Sequence, residues 1–267
     1  MKKGLFILAA LLCLIVTGAL AEPEKIYEDE TIVIKQDTVS RDKSVYHVLY
    51  VDIDSPEQLR SATAGEKGTK KTATVLSMAE QNNALCAMNG DYFTNRTTGY
   101  EVRNGEVHRQ KFYQKRDLLV IDENADLHII KKSSSAELKA VIDAGHTVEH
   151  AFTFGPALVI DGELQKISRS YDFAPLDNAP RSAIGQLGEL SYVMVVVDGR
   201  QKGYSIGVPV WKMADFMFEL GCQQAFSLDG GGSATLVALG EEINQQAKGA
   251  RSISDIIYFK SGLGDEE

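Results

Sequence analysis

The chain has 267 residues, of which 44% are hydrophobic and 24% are charged. This balance is typical of a globular protein with a substantial core, and it excludes disordered, collagen-like and multi-span membrane proteins. The formal net charge of −9 disfavours general attraction to nucleic-acid backbones, so we expect no nucleic-acid partner.

The first 21 residues have the pattern of a signal peptide. Lys2 and Lys3 precede an almost continuous apolar run, and Ala19-Leu20-Ala21 fits the small-x-small rule for cleavage. The run is shorter than the roughly 20 residues that a membrane-spanning helix needs, although an uncleaved N-terminal anchor is the alternative. We therefore expect an exported chain with no membrane span in its mature part. The predicted divisions are a signal peptide over 1–21, a stalk or linker over 22–44, a domain over 45–260 and an acidic tail over 261–267.

Alternating hydrophobicity and turn residues predict strands, hairpins and two helices in the first part of the chain. In chain order, the predicted elements are a buried strand over Val45–Ile53, a helix over 73–82, a short strand over 84–88, hairpins at Asn104-Gly105, across 122–126 and at Asp161-Gly162, and a helix over Ser135–Ala144 with Ser135 as N-cap.

The segment from Tyr192 onwards has the most informative pattern. Tyr192–Val197 and Ala225–Leu228 are apolar strands on either side of an amphipathic helix over Pro209–Leu220, which predicts a βαβ unit with parallel strands. The carboxyl ends of parallel strands lie at one edge of a sheet, so Asp198 and Asp229 are expected to face one crevice. On neighbouring or next-neighbouring strands the two carboxylates would lie roughly 5–10 Å apart. We therefore predict a single α/β domain on a mixed sheet with packed helices and peripheral hairpins, with α+β as the alternative.

Asp229 opens a glycine-rich loop, Asp229-Gly230-Gly231-Gly232-Ser233. Three consecutive glycines allow backbone N–H groups to approach a ligand closely, and such groups form a nest suited to phosphate. Arg181 and Arg200 are candidates for the fixed positive charge beside it. An ionised carboxylate repels phosphate, so an aspartate beside a phosphate site is expected to donate a proton, contact the sugar or bind a cation. A divalent cation held by Asp198 or Asp229 is therefore one of the alternatives. The other interpretation is a flexible surface loop.

Two histidines four residues apart, His146 and His150, would suit a metal if they lay on a helix. They follow Gly145 in a segment that leads into a predicted strand, so we interpret the spacing as accidental.

Five motifs stand in one order along the chain: Met88–Phe93, Gly155–Val159 with Asp161-Gly162, Arg181–Gly185, Val197–Arg200 and Leu228–Thr235. Together they resemble the phosphodiester glycosidase family over residues 45–260, and Arg251–Ser254 is similar to the closing segment of that family. The resemblance implies hydrolysis of a sugar-1-phosphodiester, with a phosphate-bearing glycan of the envelope or the extracellular space as partner. Asp91 stands where the family often has a second glycine.

Residues and resemblance together define the candidate site. The candidate catalytic residues are Asp229, Asp198 and Arg200, and which of the two aspartates does which task stays open. The candidate substrate-binding residues are Asn89, Gly90, Asp91, Gly155, Arg181, Ser182, Gly230, Gly231, Gly232 and Ser233. The alternatives are a non-catalytic exported module for sugar-phosphate binding or exopolysaccharide assembly, and a phosphodiesterase that breaks the bond on the other side of the phosphorus.

Overall fold

Eighteen strands and three α-helices build the part of the chain that the structure, a computed structural model, describes: residues 22–172 and 175–263. The strands are β1 (Glu24–Glu28), β2 (Ile32–Arg41), β3 (Ser44–Ile53), β4 (Leu59–Thr63), β5 (Cys86–Asn89), β6 (Gly99–Arg103), β7 (Glu106–Lys111), β8 (Asp117–Asp122), β9 (Leu127–Ile130), β10 (Val148–Phe154), β11 (Ala157–Ile160), β12 (Glu163–Leu164), β13 (Arg181–Gly188), β14 (Ser191–Val197), β15 (Gln224–Leu228), β16 (Leu236–Ala238), β17 (Glu241–Glu242) and β18 (Asp255–Phe259). The helices are α1 (Val75–Gln81), α2 (Ser135–Asp143) and α3 (Val210–Glu219).

The strands form three sheets, and all pairings within the described ranges are antiparallel. The large sheet has the order β1-β2-β3-β14-β13-β15-β11-β12, the second sheet β7-β6-β10-β8-β9, and the third sheet β17-β16-β5-β18-β4. The predicted mixed α/β sheet is therefore wrong, and the alternative, α+β, describes the fold.

The two strands of the predicted βαβ unit do run parallel, but they do not pair with each other. β13 lies between β14 and β15 and is antiparallel to both, so β14 and β15 run parallel as next neighbours without pairing with each other. The reason is local: β13 and β14 form a hairpin through a short turn at 189–190, and a hairpin partner occupies the edge that a parallel crossover would have used.

A strict two-residue alternation divides the core between the two faces of each sheet. In β14, Met194 and Val196 face a core that is shared by all three sheets, whereas Val193 and Val195 pack against α3 on the outer face. The other sheets repeat the arrangement, with α2 outside the second sheet and α1 outside the third. Strands buried on both faces are apolar throughout, and this is why Tyr192–Val197 has almost no polar residue.

Residues 22–44 do not form a stalk. β1 and β2 lie within this segment, and β2 pairs with β3 along its whole length, which adds both strands to the large sheet. The helix expected from Ser135 is present, but its N-cap is Ser134, whose side chain accepts a hydrogen bond from the Glu137 N–H. The predicted hairpins at 104–105, 122–126 and 161–162 are all confirmed.

The predicted signal peptide and the end of the predicted tail, residues 264–267, lie outside the described residues. Among the residues that are described, no helix is long and apolar enough to span a membrane. Cys86 and Cys222 are both buried and free.

A buried cluster of charged side chains connects the second sheet to the third. At the end of β6, the Arg103 Nη2 lies 2.6 Å from Asp255 Oδ2 and 3.1 Å from Asp91 Oδ1. Arg96 Nη2 lies 3.0 Å from the second oxygen of Asp91. Burial raises the pKa of Asp91, but the charges of Arg96 and Arg103 outweigh it and hold that pKa below its ordinary value. Burial and the nearby Asp91 raise the pKa of Glu101 well above its ordinary value.

We expect that replacing Arg103 with Met lowers the free energy of unfolding by about 3–5 kcal/mol, because buried carboxylates lose their partner. Chemical denaturation measures this change. The matched control is Arg41→Met, whose exposed ion pair with Glu219 is expected to contribute less than about 1 kcal/mol. Equal losses in the two variants would contradict a stabilising role for the buried cluster.

Candidate active site

The site lies where strands of the large sheet and the third sheet end together. β13 begins at Arg181, opposite Val197 at the end of β14, and Ser182 lies opposite Leu228 at the end of β15. Asp198 and Asp229, the residues that follow those two strands, therefore flank the start of β13 at one edge of the sheet.

The end of β5 joins this edge through the side chain of Asn89. Its Nδ2 donates to the backbone oxygen of Asp229 at 2.6 Å, and its Oδ1 accepts from the Ser182 hydroxyl at 2.8 Å and from the Thr235 N–H at 3.2 Å. The Asp229 N–H in turn donates to the Gly90 oxygen at 3.2 Å. Asn89 is buried, so its role is to hold three segments of chain around Asp229.

A cavity of about 380 Å³ opens beside these strand ends, and it is called the central cavity below. Seven of the predicted site residues line it: Gly155, Arg181, Arg200, Asp229, Gly230, Gly231 and Gly232. The predicted residues Asn89, Asp91, Ser182, Asp198 and Ser233 are buried behind this wall, and neither they nor Gly90 line the cavity.

Of the three aspartates that the sequence predicted for the site, Asp229 is the one that lines the central cavity. Burial raises its pKa to about 6, although Ser233 and the charge of Arg251 act in the opposite direction. A carboxyl group with a pKa near neutrality can both accept and donate a proton under ordinary conditions, which is the property that general acid–base chemistry requires.

Asp198 is 1% exposed, and hydrogen bonds occupy both of its carboxylate oxygens. His47 Nε2 and the Tyr204 hydroxyl each lie 2.9 Å from Oδ2, and Asn244 Nδ2 donates to Oδ1 at 2.9 Å. Burial raises its pKa, but the hydrogen bonds from His47 and Asn244 outweigh this and lower the pKa overall. Asp198 thus stays ionised and fixes the loop that leads to Arg200.

Three arginines give the cavity its positive charge. Arg181 is 7% exposed, and its Nε and Nη2 donate to the backbone oxygens of Val208 and Asp177. Burial and the charge of Arg200 lower the pKa of Arg181 to about 10. Arg200 is exposed, and so is Arg251, whose guanidinium lies 5.9 Å from the Tyr92 ring.

The glycine loop is shaped to let an arginine lie against it. Gly231 has a φ of +61°, and a Cβ at this position would lie 3.2 Å from Arg200 Nη1. The Gly231 N–H is already used, because it donates to the Pro180 oxygen at 2.9 Å. The predicted nest is therefore smaller than three amides, and the N–H groups of Gly230 and Gly232 are the ones left for a ligand.

Sequence reasoning missed several lining residues, among them Asp172, Asp177 and Arg251. Arg251 stands in the segment that is similar to the closing segment of the family, and this signal could have identified it. Asp177 lies in an irregular segment with no motif, so only the folded chain brings it to the cavity.

A separate cluster could hold a metal ion. One ligand atom each of Asp122, His128 and His146 lies within 4.8 Å of the other two. The expectation that the spacing of His146 and His150 is accidental is confirmed in part, because His150 instead contacts the Ser61 hydroxyl at 2.9 Å. The partner of His146 is the distant His128, which spacing along the chain did not reveal.

Fold and cavity together define the class: an α+β protein with a cationic, glycine-lined cleft and one carboxyl group of raised pKa at the strand ends. The chain belongs to the phosphodiester glycosidase family, because the family model matches residues 82–260. The resemblance inferred from the sequence motifs is thereby confirmed.

A curated relative is the SPbeta prophage-derived uncharacterized protein YomE of Bacillus subtilis (strain 168), which is 28% identical over 202 residues. The match covers 73% of this chain and 31% of that protein, so the chain spans about a third of the relative's length.

Solved structures share the fold. The catalytic domain of zebrafish N-acetylglucosamine-1-phosphodiester alpha-N-acetylglucosaminidase, described as auto-inhibited by its pro-peptide, matches with a TM-score of 0.70 at 20% identity, over 90% of this chain and 86% of that one. A hypothetical protein from Synechocystis matches with a TM-score of 0.61 at 16% identity, over 86% of this chain and 62% of that one.

The opposite pKa shifts of Asp229 and Asp198 predict opposite effects on stability. Because the folded pKa of Asp229 is raised, ionisation of this side chain destabilises the folded state. This destabilisation is absent at low pH and grows as pH rises from the unfolded pKa through about 6. Asp229→Asn is therefore expected to raise the free energy of unfolding at pH 8, by about 1–3 kcal/mol, and to change it little at pH 4.

Asp198→Asn is the matched comparison. The folded pKa of Asp198 is lowered in the parent, so the ionised carboxylate stabilises the fold above the unfolded pKa, and this stabilisation is lost as pH falls. This variant is expected to be less stable than the parent at pH 8. Thermal unfolding across pH 4–8 measures both, and shifts of the same sign in the two variants would refute this electrostatic description.

Proposed function

We propose that the chain is a hydrolase that breaks the bond between the anomeric carbon of a sugar and a phosphodiester oxygen. The observation that carries the proposal is the central cavity itself, where the one carboxyl group of raised pKa, Asp229, lies beside three arginines and a glycine loop. The arginines are suited to bind the phosphate of such a substrate, and the carboxyl group is suited to proton transfer beside its sugar.

The phosphate would bind beside the three arginines of the central cavity. Arg200 and Arg251 are exposed, and Arg181 is held from behind by two backbone oxygens, so positive charge is presented from three segments of chain. As the bond to carbon breaks, negative charge grows on the departing phosphomonoester, and preorganised cations and N–H groups stabilise that charge. Because the leaving group is already acidic, it departs without strong protonation.

Asp229 would act on the water or on the sugar. In its ionised form it takes a proton from the attacking water as the new C–O bond forms, or it stabilises the positive charge that develops at the anomeric carbon. Asp198 would be a positioning residue, since its hydrogen bonds to His47 and Asn244 fix the segment that carries Arg200. Buried Asn89 and Ser182 would hold Asp229 in place.

The substrate class follows from the family and from one structural relative. The description of the zebrafish domain names an N-acetylglucosamine-1-phosphodiester, so conjugates of this sugar are the first substrates to test. A further structural neighbour, from Burkholderia pseudomallei, is described as a candidate exported protein and matches with a TM-score of 0.60 at 16% identity, over 82% of this chain and 74% of that one. Together with the predicted signal peptide, this supports export of the chain and an envelope or extracellular glycan as substrate.

Hydrolysis in ¹⁸O-labelled water is expected to place the label on the released sugar and leave the phosphomonoester unlabelled, because the proposed attack is at carbon. Mass spectrometry of the products reads this directly. Label in the phosphate would show a phosphodiesterase instead, and binding without turnover would show a non-catalytic module.

Within the same assay, Asp229→Asn is expected to reduce kcat by about 10²–10⁴-fold. Arg200→Gln is expected to reduce kcat by about 10²–10³-fold. Glu163→Gln, on the exposed edge strand β12, is the control that should keep parental turnover.

A further inference from the structure

Two other cavities adjoin the central cavity, one on each side. A cavity of about 490 Å³ shares Pro156 and Asp172 with it. A second, of about 530 Å³, shares Arg200, Gly231, Gly232 and Arg251 with it. Because each pair has lining residues in common, the three cavities lie side by side with Asp229 in the middle one, and together they are called the groove here.

The first flank of this groove carries four exposed lysines: Lys115, Lys131, Lys132 and Lys166, called the lysine flank here. Its two carboxylates are already engaged. Asp117 is buried and accepts the backbone N–H groups of Lys132 and Ala157, and Asp172 pairs with Arg116. In the described chain none of the four ammonium groups forms an ion pair, whereas several exposed lysines elsewhere do, such as Lys67 with Glu106.

The opposite flank repeats this pattern. Lys248, Arg200 and Arg251 line the second adjoining cavity, and within the described ranges none of them is paired with a carboxylate. Uncompensated cations therefore lie on both sides of Asp229 in a chain whose formal net charge is −9. Cations outnumber the aspartates that line this groove, and a cleft of net positive charge in a protein of net negative charge concentrates anionic ligands.

We propose that this groove binds a polymer of sugar phosphodiesters, with phosphates on both sides of the linkage that is cleaved. The inference rests on the proposed function and deepens it: a single linkage needs only the central cavity, and the lysine flank has no partner unless further phosphates extend along the groove. The chain would thus cut within such a polymer and bind longer oligomers more tightly than a single linkage.

Synthetic oligomers of two to six hexosamine units joined by 1-phosphodiesters test the proposal. The triple variant Lys115→Gln, Lys131→Gln, Lys166→Gln is expected to raise KM for the hexamer by about tenfold at low ionic strength, since each substitution takes one cation away from a substrate phosphate. The rise for the dimer should be less than threefold. The control triple, Lys25→Gln, Lys35→Gln, Lys260→Gln, changes the net charge equally and lies outside the groove, so both KM values should stay parental.

Equal losses on dimer and hexamer would overturn the proposal, as would a parental KM for the hexamer in the lysine-flank variant. Competition by a single-stranded DNA oligomer of equal charge, as strong as by the hexamer, would also overturn it in favour of a general polyanion groove. Equilibrium binding to the Asp229→Asn protein separates the two proposals: length-dependent binding that disappears in the lysine-flank variant supports the groove even if no linkage is hydrolysed.

A different observation carries a second inference, at the cluster of Asp122, His128 and His146. Buried Asp122 ends β8, and its Oδ1 accepts the N–H groups of Asn124 and Asp126 at 2.9 Å. The other oxygen faces His128 Nε2 at 2.9 Å and His146 Nδ1 at 2.7 Å. The second contact lacks hydrogen-bond geometry, so the buried His146 Nδ1 has no hydrogen-bond partner among the described residues.

We infer that these three side chains bind a divalent transition metal such as Zn²⁺. Two imidazole nitrogens and a carboxylate oxygen are ligands that such ions prefer, and backbone N–H groups already orient the carboxylate. The cluster joins the β8–β9 turn to the segment between α2 and β10. It lies at the end of β8 opposite the groove, roughly 17 Å along the strand from Asp117, so its role is structural.

Titration of the chelator-treated chain with ZnCl₂, followed by calorimetry, is expected to show one site and a rise in melting temperature. His128→Ala with His146→Ala should weaken binding at least tenfold and abolish the rise. His108→Ala, which changes a histidine outside the cluster, should bind as the parent does. Absence of binding by the parent, or undiminished binding by the double variant, would overturn the inference.

Discussion

The placement of β13 between β14 and β15 is the constraint on which the site depends. Because β13 is antiparallel to both neighbours, its first residue, Arg181, stands between the two strand ends that lead to Asp198 and Asp229. The start of β13 thus separates the two aspartates along one sheet edge. Asn89 then ties the end of the third sheet to the same point, because its side chain contacts both the Asp229 backbone oxygen and the Ser182 hydroxyl at the start of β13.

Burial acts on the two aspartates in the same direction, and hydrogen bonding decides the outcome. Both carboxylates lose solvent, which favours the neutral form. Asp198 recovers that loss through His47, Asn244 and Tyr204, whereas Asp229 has few donors around it. One residue therefore serves as a permanent charge that holds a loop, and the other keeps a proton affinity that chemistry can use. A pair of similar residues can acquire different tasks from their surroundings alone.

Charge is distributed unevenly over the molecule. The buried ions between the second and third sheets are compensated within the protein, with Arg96 and Arg103 facing Asp91 and Asp255. Along the groove, the cations of both flanks are left without carboxylate partners in the described chain. Residues of the same types therefore differ in whether a carboxylate lies within 4 Å of them, and our proposal assigns the unpaired cations to ligand binding.

Many features of this protein are determined by local signals in its sequence. Two-residue alternation predicted β3, a continuous apolar run predicted β14, turn residues predicted three hairpins, and ordered motifs identified the family, because each of these signals acts between residues close in the chain. Pairing between strands that are distant in the chain is different. The turn at 189–190 joins β13 to β14, but nothing near it specifies that β15 pairs with the other edge of β13, or that residues 22–44, expected to be a stalk, form two strands beside β3. The ion pairs, the hydrogen bonds that separate the pKa values of Asp198 and Asp229, and the placing of three cavities side by side all depend on distances between remote segments, which only the packed tertiary structure decides.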